Sequence, residues 1–316
     1  MTAFFNGNLD YVLFLYGLGF VLVAVTVLGL RTTVATLLPW RWLGISAVLL
    51  GLSVWAEMFV LGLGHRTGVG ALQTAFFVLG CALLVQFARA TWAAVGGRRV
   101  GGWAILALLV LTAAGGIAGG RGLDAAACYF LGLPGGLWAA AGLWRYARSG
   151  GRYGRPLKLA AAGMALFVLA DCLAAPRAPV PPATWINQEA FLSAVGFPVQ
   201  LLCMALAVPF VVGLWLYYQA LLREAHPGLV DRRGTWYQVA MLTSLVVILV
   251  AGFFATSLVG DRWDANARSE LLVHAALAAG AIDPHVIETQ TASPADVGTA
   301  GYVRLREQLA LMAGAS

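Results

Sequence analysis

Residues 10–30 read "DYVLFLYGLGFVLVAVTVLGL". After Asp10 the stretch carries no charge until Arg31. A helix needs roughly 20 apolar residues to cross about 30 Å of hydrocarbon, so this run is long enough to be a membrane span by itself. It is too long for a cleavable signal peptide and lacks the basic residues that would precede one. The rest of the chain repeats the pattern. Of its 316 residues 60% are apolar and only 11% charged, with a mean hydropathy of +0.82. A soluble globule carries about a quarter charged residues.

Further apolar runs cover Trp42–Gly64, Ala71–Ala90, Gly102–Gly120, Ala125–Leu143, Leu159–Ala175, Phe191–Tyr218 and Trp236–Gly260. The expected fold is all-α, a polytopic transmembrane helical bundle of about eight spans followed by a short helical tail. The connections are short, which leaves no room for a large soluble domain before residue 260.

The basic residues set the orientation. One set of loops carries Arg31, Arg41, Arg89, Arg98, Arg99, Arg145, Arg148, Arg152, Arg155, Lys158, Arg223, Arg232 and Arg233, and the alternate loops carry only Arg66, Arg121 and Arg177. Cytoplasmic loops collect the excess of Lys and Arg. This places the first set in the cytoplasm and both the N-terminus and the tail from Asp261 on the outer side. The net charge of +6 is thereby explained by helix ends, and no nucleic-acid partner is expected.

In the tail, Ala267, Leu271, Ala275 and Ala278 share one helical face, and Tyr302, Leu305, Leu309 and Met312 form a second stripe. Pro284 and Pro294 break the segment between them. Two such helices cannot close a core of their own.

The candidate polar site consists of carboxylates. Glu57 and Asp171 are the only ones well inside spans, and at 1.5 Å per residue they lie roughly 10 and 6 Å below the outer end. An ionisable side chain at that depth is costly and marks a functional site by default. The bland alternative is a neutral or hydrogen-bonded group serving only assembly. Asp10, Asp124 and Glu189 border the same outer face, so an outward-facing polar pocket is expected. A transported or sensed cation would suit it, with Arg66 or Arg121 as structural partners otherwise.

Cys128 and Cys172 lie at similar depth, where two packing thiols are favoured over a redox pair. Cys81 and Cys203 complete the set, with no CxxC spacing and no metal-ligand pattern. "GGIAGG" at Gly115–Gly120 holds overlapping GxxxG spacings, for helix packing within the chain or for a dimer face. Pro134, Pro198 and Pro209 should kink their helices. His65, His226, His274 and His285 all lie outside the spans, which excludes paired haem ligation in the bilayer. The single lysine, Lys158, is misplaced for a retinal Schiff base. No Walker motif or catalytic triad can be assembled. No cofactor, metal or catalytic residue is expected.

The opening "FFNGNLDYVLFLYGLGFVLVAVTVLGLR" resembles the N-terminus of bacterial multi-pass sensor histidine kinases and related diguanylate cyclases. Leu9, Asp10, Tyr11, Tyr16, Gly17, Leu18 and Phe20 carry that likeness, and "WAEMFVLGLG" (Trp55–Gly64) looks like the family's second helix. "DANARSELLVHAALAAGAID" and "YVRLREQLALMAG" look like the opening helices of an extracytoplasmic PAS-like domain of the Cache type. The resemblance implies a seven-helix membrane sensor module at 1–234, an eighth transmembrane helix at 235–260 and an incomplete sensing domain at 261–316. It implies a bacterial inner-membrane protein, dimerisation, an unidentified small ligand, and a cytoplasmic output domain, most often a histidine kinase, outside this chain. The residues themselves leave a rival open, a small-solute or ion transporter using Glu57 and Asp171. Against it stands the lack of an inverted repeat or paired interrupted helices. A third reading is an assembly subunit with a fixed partner.

Overall fold

The structure, a computed structural model, describes residues 9–33, 37–63, 67–149, 153–171, 173 and 175–225. In the C-terminal part it describes residues 268–269, 271–273, 275–276, 299, 301–303 and 306–307. The expected eighth span at Trp236–Gly260, the four histidines, Cys172, Arg66, Arg152, Arg232 and Arg233 lie outside the described residues. The chain divides into two compact units, Met1–Val259 and Gly260–Ser316.

In the first unit the elements are α1 (Leu9–Thr33), α2 (Trp40–Leu63), α3 (Thr67–Ala94), α4 (Trp103–Gly115), α5 (Gly119–Ala127), α6 (Leu133–Ser149), α7 (Gly154–Asp171), α8 (Gln188–Val195) and α9 (Val199–Ala225). No strand occurs among the described residues. Five stretches are long and apolar enough to cross a membrane: Leu9–Gly29, Trp40–Val60, Gly68–Ala94, Trp103–Ser149 and Val199–Glu224.

The fourth stretch, of 47 residues, would be about 70 Å long as one straight helix. It is instead a hairpin. Gly115 at the end of α4 packs against Gly122 and Ala126 of α5, a contact that a continuous helix cannot make. A single 3-10 turn, Gly116–Ala118, leads into Gly119, whose φ of 82° reverses the chain. Only glycine adopts that backbone readily. The glycine spacing at 115–120 is thus spent inside the chain.

The helix that leaves this hairpin is also irregular. Cys128–Gly132 form a π-turn in which the Leu133 N–H bonds to the Cys128 carbonyl. Pro134 follows directly, and proline removes a donor and crowds the preceding turn. The widened turn accommodates it, so the expected kink at Pro134 takes this form.

Neighbouring helices are fitted by small residues. A side chain at Gly17 would strike Trp55, and one at Gly44 would strike Leu28, which sets α1 antiparallel to α2. Gly136 fits Val168 and Gly154 meets Ala147, which sets α6 antiparallel to α7. Gly163 lies against the backbone of Pro209 and Phe210, while Gly213 lies against Ala160 and Pro156. Such close backbone approach is how helices associate where burial in lipid gives no hydrophobic drive. α7 makes its largest contact with α9.

The main apolar core lies away from the α2–α3 end and is built on Val27, Trp40, Phe87, Leu143, Leu157, Leu214 and Tyr217. At the end opposite the α2–α3 connection the arginines lie on aromatic rings: Arg41 over Trp42 at 4.7 Å and Arg145 over Trp92 at 5.3 Å. Arg89 bonds to Gln86 at 2.9 Å and to the Val100 carbonyl at 3.0 Å.

Three expected boundaries are corrected. The stretch at 102–120 is helical as α4 only to Gly115, because the glycine turn intervenes. The sixth span ends at Asp171 rather than at 175, upstream of Pro176, since a residue before proline is held out of the helical region. The stretch 191–218 is two helices: Gly196, with φ 85°, ends α8, and α9 begins after Pro198.

In the second unit the described residues 268–269, 271–273, 275–276, 301–303 and 306–307 are helical. Leu271 is 68% exposed. Thr299 begins the later piece, its hydroxyl accepting from the Tyr302 N–H at 3.3 Å.

Candidate functional site

Three of the five expected carboxylates are brought together. Glu57 stands about two turns before the end of α2, within electrostatic range of Asp124 on α5 and of Asp171 at the end of α7. The Asp171 carboxylate accepts a 2.7 Å hydrogen bond from the Tyr16 hydroxyl on α1. Asp124 accepts from Thr74 on α3, while its Oδ1 is buried with no partner. Five helices therefore deliver one polar group each to one end of the bundle. Glu57 is half-buried and receives no hydrogen bond among the described residues. The Cys128 thiol points to the Asp171 carbonyl at 3.7 Å, which ties the π-turn to the same corner.

The other two carboxylates stand apart. Asp10 occupies the first turn of α1 and is half-exposed. Glu189, in the first turn of α8, pairs with Arg177 at 3.5 Å on the surface. That is the one ion pair among the described residues. Arg121 is exposed and neutralises none of the clustered carboxylates by an ion pair.

The segment between α7 and α9 covers this end. Asn187 anchors it, capping α8 through its side-chain oxygen to the Ala190 N–H at 2.9 Å and donating to the Ala183 carbonyl at 2.9 Å. The Tyr129 hydroxyl donates to the Ile186 carbonyl at 2.7 Å, and the Gln188 N–H bonds to the Ala175 carbonyl at 3.1 Å. Ala178 and Ala183 pack on Ala125, one residue beyond Asp124.

Comparison with protein-family models, curated proteins and solved structures finds no match.

The site must therefore be understood from its own chemistry. Among the described residues no three His, Cys, Asp or Glu side chains are grouped to hold a metal ion. The carboxylates are near enough to share a field but do not converge on one atom. Holding such groups ionised without a paired cation is costly in buried surroundings, so a cation entering the cluster would offset that cost.

Sequence reasoning passed over Thr74, Tyr129 and Asn187, and took Tyr16 only as part of a resemblance. A signal was present for Tyr16, since a phenol inside an apolar run needs an acceptor when buried. Asn187, ahead of "QEAF", was legible as a helix cap. Thr74 and Tyr129 gave none, because their partners lie about 50 residues or more away in the chain.

Proposed function

We propose that this chain is the membrane-embedded input module of a bacterial signal-transduction protein, responding to a cationic or cation-bearing ligand at its outer face. The observation that carries this reading is a polar cluster with apolar side chains beneath it. Glu57, Asp124, Asp171 and Tyr16 gather at one end, and the interior beyond them is apolar, through Val23, Leu43, Ala47, Leu84 and Met164. A transporter needs polar contacts along a path to the far side. A sensor needs only a local site coupled to a helix with two discrete packings.

The irregular helix that carries Asp124 and Cys128 is such an element, since π-turns concentrate at functional sites. Counting the hairpin as two crossings and adding α7 raises the five apolar stretches to seven. The stretch Trp236–Gly260 would add an eighth and place residues 261–316 outside. The arginine-rich ends with their Trp partners would face the cytoplasm of an inner membrane. The likeness to sensor histidine kinases supports an output domain of that kind.

The test is reconstitution of the full chain in proteoliposomes with spin labels at the non-carboxylate ends of α1 and α9. Addition of a polyamine or a monovalent cation outside should change the label distance, and Glu57→Gln should abolish that change. Carboxylate-dependent uptake of the same cation would replace the sensor with a transporter.

A further inference from the structure

Beneath the polar cluster, and sharing only Tyr16 with it, α1, α2, α3, α7 and α9 enclose an apolar cavity of about 310 Å³. It lies in the middle of the bundle, between Tyr16 and Val23 on α1 and along Met204–Val212 on α9. The α9 stretch alone runs about 12 Å at 1.5 Å per residue. Among the described residues only two side-chain hydroxyls border the cavity. Ser46 donates to the Gly80 carbonyl at 2.7 Å and Tyr16 donates to Asp171 at 2.7 Å, so both donors are spent.

We propose that this cavity holds one acyl chain of a bilayer phospholipid, which enters sideways between α1 and α9. Three observations point to that occupant. Val208 and Val212, 55% and 41% exposed, stand on its α9 side, and on α1 the half-exposed Gly19 has open space where a side chain would begin. Both helices belong to stretches apolar and long enough to cross a membrane, where the medium at that opening would be lipid hydrocarbon. The lining then selects among ligands: with no free donor, nothing in it recognises a polar head group.

Size excludes the bulkier alternatives. A helix with its side chains is about 10–12 Å across and does not enter a space of this volume. An apolar cavity of about 150 Å³ already takes up benzene or xenon, because an unfilled void forfeits its dispersion contacts. A cavity of twice that size, opening on alkyl chains, fills with one. Kinking of α9 at Pro209 would help to shape it, since Pro209 sits within the lining stretch.

The experiment uses the full chain reconstituted with a phosphatidylcholine that carries a diazirine midway along one acyl chain. After irradiation the adducts are mapped by mass spectrometry. Val23 and Ala47 are 6% and 3% exposed and line the cavity, so a lipid chain reaches them only from within it. Val25 and Leu106, 61% and 63% exposed, report the outer surface. The expected result is labelling of Val23 or Ala47 beside labelling of Val25 and Leu106. In Gly19→Leu, and independently in Ala207→Leu, the inner adducts should fall to background while the outer ones persist. Outer labelling without inner labelling in the natural sequence would overturn the proposal. That outcome would mean that the opening is closed by the chain's own Trp236–Gly260 stretch or by a second copy. Inner adducts that persist undiminished in both filled variants would overturn it as well. If neither variant folds, the adducts of the natural sequence decide alone.

Discussion

The Tyr16 hydroxyl on α1 donates to Asp171 Oδ1 at the end of α7 over 2.7 Å, joining residues 155 positions apart. Around it Tyr16 packs edge-on to Phe20, with ring centroids 5.2 Å apart, and lies 6.4 Å from Phe167. The bond thus stands beside a cluster of three aromatic rings drawn from α1 and α7.

Tyr16→Phe keeps the ring and removes the donor. An intramolecular hydrogen bond contributes about 0.5–1.5 kcal/mol, so the variant should lose an amount in that range. Asp171→Ala should lose a similar amount, and the double variant little more than either single one. Thermal unfolding of the four proteins in one detergent measures the coupling, and simple additivity would show that the pair does not act as a unit.

The glycines at the α7–α9 contact make a second prediction. A methyl at Gly163 meets the Phe210 and Pro209 backbone, which cannot give way as a side chain would. Gly163→Ala and Gly213→Ala should each cost about 1–3 kcal/mol through forced separation of the helices. Gly19→Ala, where a methyl meets nothing within 4 Å, should instead gain up to about 1 kcal/mol of helix propensity. Equal effects at the three positions would contradict the packing described.

Glu57 offers a trade between stability and response. It shares a field with two other carboxylates and has no hydrogen-bond donor among the described residues. Glu57→Gln should raise the unfolding temperature while abolishing the response to an external cation, as expected where a site is kept at the expense of stability. A fall in unfolding temperature would make Glu57 a structural residue.

Topology can be read with thiol reagents. Cys81, Cys128 and Cys203 are buried, so with Cys172 replaced by Ser the background should be silent until the protein is denatured. New cysteines at the exposed Arg121 and Trp185 should react with an impermeant maleimide on intact cells. Cysteines at Arg98 and Arg148, also exposed, should react only after permeabilisation. The reverse pattern would invert the orientation.

Much of the helical framework could be read along the chain, because a span is a local property. The uncharged run after Asp10 and the run around Glu57 each satisfy the length that hydrocarbon imposes, and α1 and α2 lie where those runs lie. The hairpin at Gly115–Gly119 was less legible. The sequence shows two apolar runs and close-packing glycines there, but whether those glycines face another molecule or the next helix depends on where the chain turns.

The carboxylates show the same division. By itself the sequence determined that Glu57 sits within an apolar run, since that follows from neighbours a few residues away, whereas Asp171, expected inside a span, closes its helix. Only the tertiary structure decided that Glu57, Asp124 and Asp171 share a corner with Tyr16 and Thr74, while Glu189 turns outward to Arg177 and Asp10 stands apart. Hydropathy reports how far a residue lies along the membrane normal. It carries no information on the angle at which that residue faces, and the packing of glycines against neighbouring backbones sets that angle.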